Sequence, residues 1–290
     1  MPNPSWTDLL PLARRVLERL DGALASHASS SGPGEWDESW AYRWRGGRLD
    51  PIAHPDIYPL DGLVGVERAL ERLRANVSAF VNGRPALDVL LFGERGTGKS
   101  SAVRGLLGEF GPKGLKLVEL RPDDLLDLPA VYRALRGRDG RFGLFCDDLS
   151  FEEGDASYKR IKAALSGGLE ARPPNVLLLA TSNRKHLLPE RMSENLEARL
   201  DRDGLLRPAE TTEEKISLSD RFGLALAFLA FDQPTWLRIV DHHAGQLGLA
   251  ERLPAPELHA RALRFALDRA SRSGRTARQA CIAIAQELEG

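Results

Sequence analysis

The run Gly93, Glu94, Arg95, Gly96, Thr97, Gly98, Lys99 and Ser100 constrains this chain more than any other stretch. Glycines spaced in this way ahead of Lys and Ser form a loop that cradles phosphate, and such a loop works at a strand-to-helix junction. Residues 88–92, just before it, are a short apolar run of strand character, and residues 101–110 place Val103, Leu106, Leu107 and Phe110 at helical spacing. A glycine turn without chemistry would not need that setting. Gly96 and Gly98 let backbone N–H groups turn inward around β- and γ-phosphates at the positive end of the new helix. Lys99 is expected to neutralise phosphate charge. Ser100 offers a hydroxyl to Mg²⁺, which takes oxygen ligands largely from substrate phosphates and water. Ser101 closes the expected nucleotide-binding run.

Charge excludes little locally but something globally. With 40 Lys and Arg against 41 Asp and Glu, the formal net charge is −1, so no overall electrostatic footprint points to nucleic acid or an anionic membrane. Cys146 and Cys281 are far apart, with neither metal-ligand spacing nor a disulfide framework. That usage suits a reducing cytoplasm. The first residues lack a basic flank before an apolar core, and the longest apolar run, residues 224–231, is too short to span a bilayer. The expectation is a soluble cytoplasmic protein with no membrane partner.

Along the chain, residues 7–24 read as an amphipathic helix through Leu9, Leu12, Val16 and Leu20, and residues 26–34 as a Ser- and Gly-rich connection. Trp36, Trp40, Tyr42 and Trp44 follow, interleaved with Arg43 and Arg45. Such rings can stack on unpaired bases, but packing a small N-terminal module against the main domain is the favoured reading. Three prolines within residues 51–59 mark a boundary. Residues 60–65 then lead into a helix over 66–81, with Leu70, Leu73, Val77 and Phe80 on one face, and Leu63 and Val64 are candidates to face adenine.

Beyond the phosphate loop, residues 115–120 read as a strand, 122–136 as a helix and 141–146 as a strand that ends in Asp147 and Asp148. An acid at the carboxyl end of a buried strand beside such a loop can hold Mg²⁺ through water, the role expected of Asp147. A second, Asp148, can orient or deprotonate the attacking water. A helix over 158–166 and a strand over 175–183 follow, the latter delivering Asn183 to the same sheet edge, in reach of the γ-phosphate or the water. Residues 213–220 read as a short helix or turn, Arg221 opens a strand over 224–228, and from residue 235 the pattern is helical. His242 and His243 read as ordinary surface or helix-end residues. The alternation implies a parallel sheet covered on both faces. The expected fold class is α/β, with an N-terminal extension over residues 1–56, a nucleotide-binding domain over 57–232 and a small all-helical lid over 233–290.

The order of phosphate loop, Asp147, Asp148, Asn183, Arg221 and a final helix carrying Arg278 resembles the AAA+ ATPases from about residue 60 onward. More narrowly, Phe-Cys-Asp-Asp-Leu-Ser-Phe-Glu over 145–152, Ala-Thr-Ser-Asn-Arg-Lys-His-Leu over 180–187 and Ile-Ser-Leu-Ser-Asp-Arg-Phe-Gly over 216–223 resemble a bacterial AAA+ family, domain of unknown function 815. The resemblance implies an oligomeric ATPase, commonly of six subunits, that binds ATP and Mg²⁺ and couples hydrolysis to remodelling of a protein or nucleic-acid partner. It further implies that Asn183 senses the γ-phosphate, that Arg278 links lid to nucleotide, and that Arg221 enters the neighbouring subunit's site as a finger. This chain departs from the common Asp-Glu pair in having Asp148, one methylene shorter, which favours slow hydrolysis. Between residues 115 and 142 there is no aromatic-apolar-Gly loop of the peptide-threading kind. Alternative readings are a weakly hydrolysing, ATP-dependent switch or scaffold, a loader-type ATPase acting on DNA, and a small-molecule P-loop kinase.

Overall fold

Strand β3, Val89–Gly93, lies one strand in from the edge of a seven-stranded sheet and ends at the phosphate loop. The computed structural model describes residues 39–150, 161, 164–165, 171–183, 199–200, 206–207 and 221–289. Residues 40–290 form one compact unit. The expected helices at 7–24 and 213–220, the connection at 26–34, Trp36, and most of the helix at 158–166 lie outside the described residues.

The sheet comprises β1 (Ala41–Arg45), β2 (Arg48–Pro51), β3, β4 (Leu115–Leu120), β5 (Arg141–Cys146), β6 (Val176–Ser182) and β9 (Leu224–Phe228), in the order β2-β1-β4-β5-β6-β3-β9. A separate antiparallel pair joins β7, Arg199–Leu200, to β8, Leu206–Arg207. In the large sheet every neighbouring pair is parallel except the β1–β2 hairpin. Burial follows position: β6 is buried along its whole length, as a strand covered on both faces must be, whereas edge strand β9 alternates buried and exposed residues.

The aromatic run near residue 40 belongs to this sheet. Tyr42 and Trp44 point inward and are each 2% exposed, while Arg43 and Arg45 point to solvent. Tyr42 pairs with Val118 of β4. The period-two alternation explains why these rings are core: a strand at this position buries alternate side chains. The sheet therefore begins well ahead of residue 57.

Helices α1 (Glu67–Val81) and α2 (Lys99–Phe110) pack Leu70, Leu73, Val77, Leu106 and Phe110 into the sheet's core. The expected helix over 122–136 divides into a 3-10 segment, Pro122–Asp127, and α3, Leu128–Leu135. Pro129 in the first turn of α3 explains the division, since it has no N–H to continue an incoming helix. Helices α4 (Gln233–Gln246), α5 (Ala255–Asp268) and α6 (Gly274–Glu289) enclose a second core of Trp236, Val240, Leu258, Ala262, Ala277 and Ile284. Phe231 packs against both cores, at the joint between sheet and lid.

Candidate nucleotide-binding site

The phosphate loop runs from the end of β3 to the start of α2, where Gly98 is the residue capping the helix, in a left-handed conformation with φ 98°. Gly96 is likewise left-handed at φ 72°. Gly96 has no room for a side chain, because a Cβ there would meet Ser273 Cβ at 2.8 Å, and a Cβ on Gly98 would push on the tip of Leu63 at 2.9 Å. Backbone conformation and close approach thus both select glycine. The first N–H groups of α2 have no intrahelical partner and are the natural anion donors.

Lys99 is buried and donates from Nζ to the carbonyls of Gly93 (2.8 Å) and Glu94 (2.6 Å). Burial holds its pKa below the ordinary lysine value, opposed by the negative charges of Asp148, Asp147 and Glu94. Thr97 Oγ1 donates to the Glu94 carbonyl at 2.7 Å. The Glu94 carbonyl therefore accepts from both side chains, which brace the loop from within.

A hydrogen-bonded array joins three elements at the adjoining strand ends. Ser100 Oγ donates to Asp147 Oδ1 at 2.6 Å, and Thr181 Oγ1 donates to the same oxygen at 2.5 Å. The Asp148 N–H donates to Thr181 Oγ1 at 2.8 Å, and Asn183 Nδ2 donates to Asp148 Oδ1 at 2.6 Å. Asp148 itself is left-handed, with φ 52°. The register that pairs Cys146 with Ala180 and Phe92 with Ser182 sets the ends of β3, β5 and β6 side by side. Of this array, Thr181 was not anticipated from sequence; its polar side chain late in an apolar strand was the available signal.

A serine hydroxyl and one carboxylate are hard oxygen donors of the kind Mg²⁺ takes. Among the described residues no group of three or more His, Cys, Asp or Glu could hold a metal. The donor set therefore fits an ion that arrives with phosphate and water as its remaining ligands.

The lid closes on the loop's outer side. Gly274 N–H donates to the Gly96 carbonyl at 2.8 Å, and Trp236 Nε1 donates to the Ser273 carbonyl at 3.0 Å. Leu63 lies against Gly98, while Val64 packs on the lid core, so the two stand between loop and lid. Arg278 is exposed on α6, where its charge acts on Tyr58 and His243. Arg275, on the same helix, lies beside the loop: a Cβ on Gly96 would lie 3.7 Å from its Cβ. His243 is buried, not superficial; burial lowers its pKa, and Nδ1 lies 3.2 Å from Gln246 Oε1.

Arg221 stands exposed just before β9, at the opposite end of the sheet from Gly93, Asp147 and Asn183. Five strand residues at about 3.3 Å each put it roughly 16 Å or more from its own chain's phosphate loop.

The model of one protein family, described as "Protein of unknown function (DUF815)", matches residues 37–288. The chain belongs to this family. No curated protein matches the DUF815 chain described here. Among solved structures it is similar to Thermotoga maritima RuvB, titled a Holliday junction branch migration motor, with 17% identity, TM-score 0.44, and 78% of this chain and 71% of that one covered. It is also similar to the FIGL-1 AAA domain in complex with ADP, with 18% identity, TM-score 0.48, and 81% and 75% covered. The DUF815 fold is a largely parallel sheet with the phosphate loop after β3, the strand next to edge strand β9, followed by a helical C-terminal region.

Proposed function

We propose that this DUF815 protein is an ATPase that binds MgATP at the loop and hydrolyses it in a site completed by a second copy of the chain. The observation that carries the reading is the 2.6 Å bond from Ser100 to Asp147, which joins the phosphate-loop helix to the acidic strand end. Backbone N–H groups of residues 93–101 and Lys99 take the phosphates, and Leu63 and Val64 face the base. Ser100 and Asp147 hold Mg²⁺, Asp148 positions the water, and Asn183 contacts the γ-phosphate. The remoteness of Arg221 from its own loop supports a role in a neighbour's site, where a cation stabilises charge on the transferring phosphoryl group. Arg278 links the lid to bound nucleotide, and lid movement remodels a protein or nucleic-acid partner, the chain working as an oligomer such as a hexamer.

A second reading rests on the bond from Asn183 to Asp148. It occupies one oxygen of a carboxylate already shorter than the usual Glu. A slowly hydrolysing switch that assembles on ATP and recruits a partner fits that geometry.

ATPase specific activity measured against protein concentration, for the natural chain and Arg221→Ala, tests the proposal. Activity per subunit that rises with concentration, with a variant that binds ATP but barely turns it over, is the expected result. Flat activity per subunit and an indifferent Arg221→Ala would overturn the shared site. ATP-dependent assembly with little turnover would select the switch. Full activity in Lys99→Ala would overturn the site itself.

A further inference from the structure

We infer that Thr181 is a positioning residue that sets the relation between the two acids, an inference that rests on the nucleotide-site reading above. Its hydroxyl has one proton and two lone pairs. The proton goes to Asp147 Oδ1 at 2.5 Å, and a lone pair takes the Asp148 N–H at 2.8 Å. The Thr181 carbonyl takes the next amide, that of Leu149, at 2.7 Å. One residue of β6 therefore holds three consecutive residues of the turn after β5: a side chain, then two backbone amides.

The need for such a holder is local. Asp148 is one of only two described non-glycine residues at positive φ, a conformation that persists where surrounding structure over-determines it. With the turn held, the Asp148 carboxylate reaches Asn183; released, it relaxes toward the commoner conformation and swings away. Ser100 cannot supply this restraint, because its hydroxyl bonds the Asp147 side chain and not the backbone of the turn. Thr181 is 1% exposed, and its branched Cβ restricts the hydroxyl's direction. It is sealed from substrate and acts through the two acids.

The competing account is that the hydroxyl merely satisfies a buried amide. The two accounts separate in the Mg²⁺ dependence. Thr181→Val keeps the shape and removes the hydroxyl, whereas Thr181→Ser keeps the hydroxyl. Loss of a hydrogen bond to a charged group is expected to lower kcat about 10- to 100-fold in Thr181→Val, with KM for ATP changed less than about threefold. The Mg²⁺ concentration giving half-maximal ATP binding should rise, while ATP binding in EDTA stays level, and amides 147–149 of the nucleotide-free protein should exchange faster. Thr181→Ser should restore all three. If Thr181→Val fails to fold, Thr181→Cys, a weaker donor, replaces it, with loss in the same direction.

A variant without the hydroxyl that keeps natural turnover and Mg²⁺ requirement, whatever its melting temperature, overturns the inference and leaves the site reading intact. A natural chain that binds no ATP with or without Mg²⁺ overturns both. If the natural chain binds MgATP without turning it over, the Mg²⁺ dependence of binding still decides the matter.

Discussion

The contact between phosphate loop and lid can be tested by adding one methyl group at residue 96. Gly96 sits at φ 72°, and left-handed backbone costs an L-residue roughly 1–2 kcal/mol. The new Cβ would lie 2.8 Å from Ser273 Cβ and 2.9 Å from its Oγ, whereas ordinary contact starts at 3.4 Å. Relief needs a shift of about 0.6 Å, which takes the Gly274–Gly96 bond from 2.8 Å to about 3.4 Å, past the ordinary range. A lost hydrogen bond adds about 1 kcal/mol. Gly137 supplies the control: it is left-handed at φ 73°, with nothing within 4 Å of its Cβ position. Gly137→Ala should therefore show the backbone cost alone. Gly96→Ala should melt roughly 2–4 °C lower than that control, at the scaling for domains of this size. Because Trp236 bonds the Ser273 carbonyl, its indole resonance, followed by fluorotryptophan NMR and assigned with Trp236→Phe, should shift in Gly96→Ala and stay in Gly137→Ala. Equal melting and an unmoved Trp236 resonance would refute the argument.

Other outcomes follow from particular residues. Ala270 ends α5 at φ 47°, with the Ser271 N–H on the Ala266 carbonyl, a capping turn that favours glycine. Ala270→Gly should raise stability by about 0.5–1 kcal/mol in urea unfolding. Burial pushes the Cys146 thiol up to about 12 and the Cys281 thiol up to about 11, so neither should react with Ellman's reagent at pH 8 until the chain unfolds. His243 has a pKa held below 6.5 by burial, so the unfolded chain binds its proton first as pH falls. Its stabilising contribution is present above that value and is lost as pH drops through the folded value. His243→Gln should accordingly lose less melting temperature between pH 7.5 and pH 5 than the natural chain.

Local signals carried most of the fold. The strands expected at 115–120, 141–146 and 224–228 coincide with β4, β5 and β9, because continuous apolar runs of that length between breakers have few other uses. The split before α3 depends on Pro129, a signal present in the sequence but outweighed by the helical spacing around it. The aromatic segment at 40–44 was ambiguous for a different reason. Its alternation is plain, but only a partner strand, β4, turns alternation into an inward and an outward face. His243 shows the same limit, since a histidine on an amphipathic helix is buried or exposed according to how far the neighbouring helices wrap around it.

The sequence by itself determined the chemistry on offer at each position: glycines where the loop turns, a lysine and serine behind them, and acids and an asparagine at strand ends. Those depend on residue type and short-range order, which a chain carries with it. Only the tertiary structure decided which of these groups meet. Parallel register brings Asp147, Asp148 and Asn183 to one edge and puts Thr181 between them, and the packing of α6 sets Arg275 beside Gly96. Partners separated by 34 residues in one case and by well over a hundred in another become neighbours only when the sheet and lid are assembled, and no local pattern records that distance.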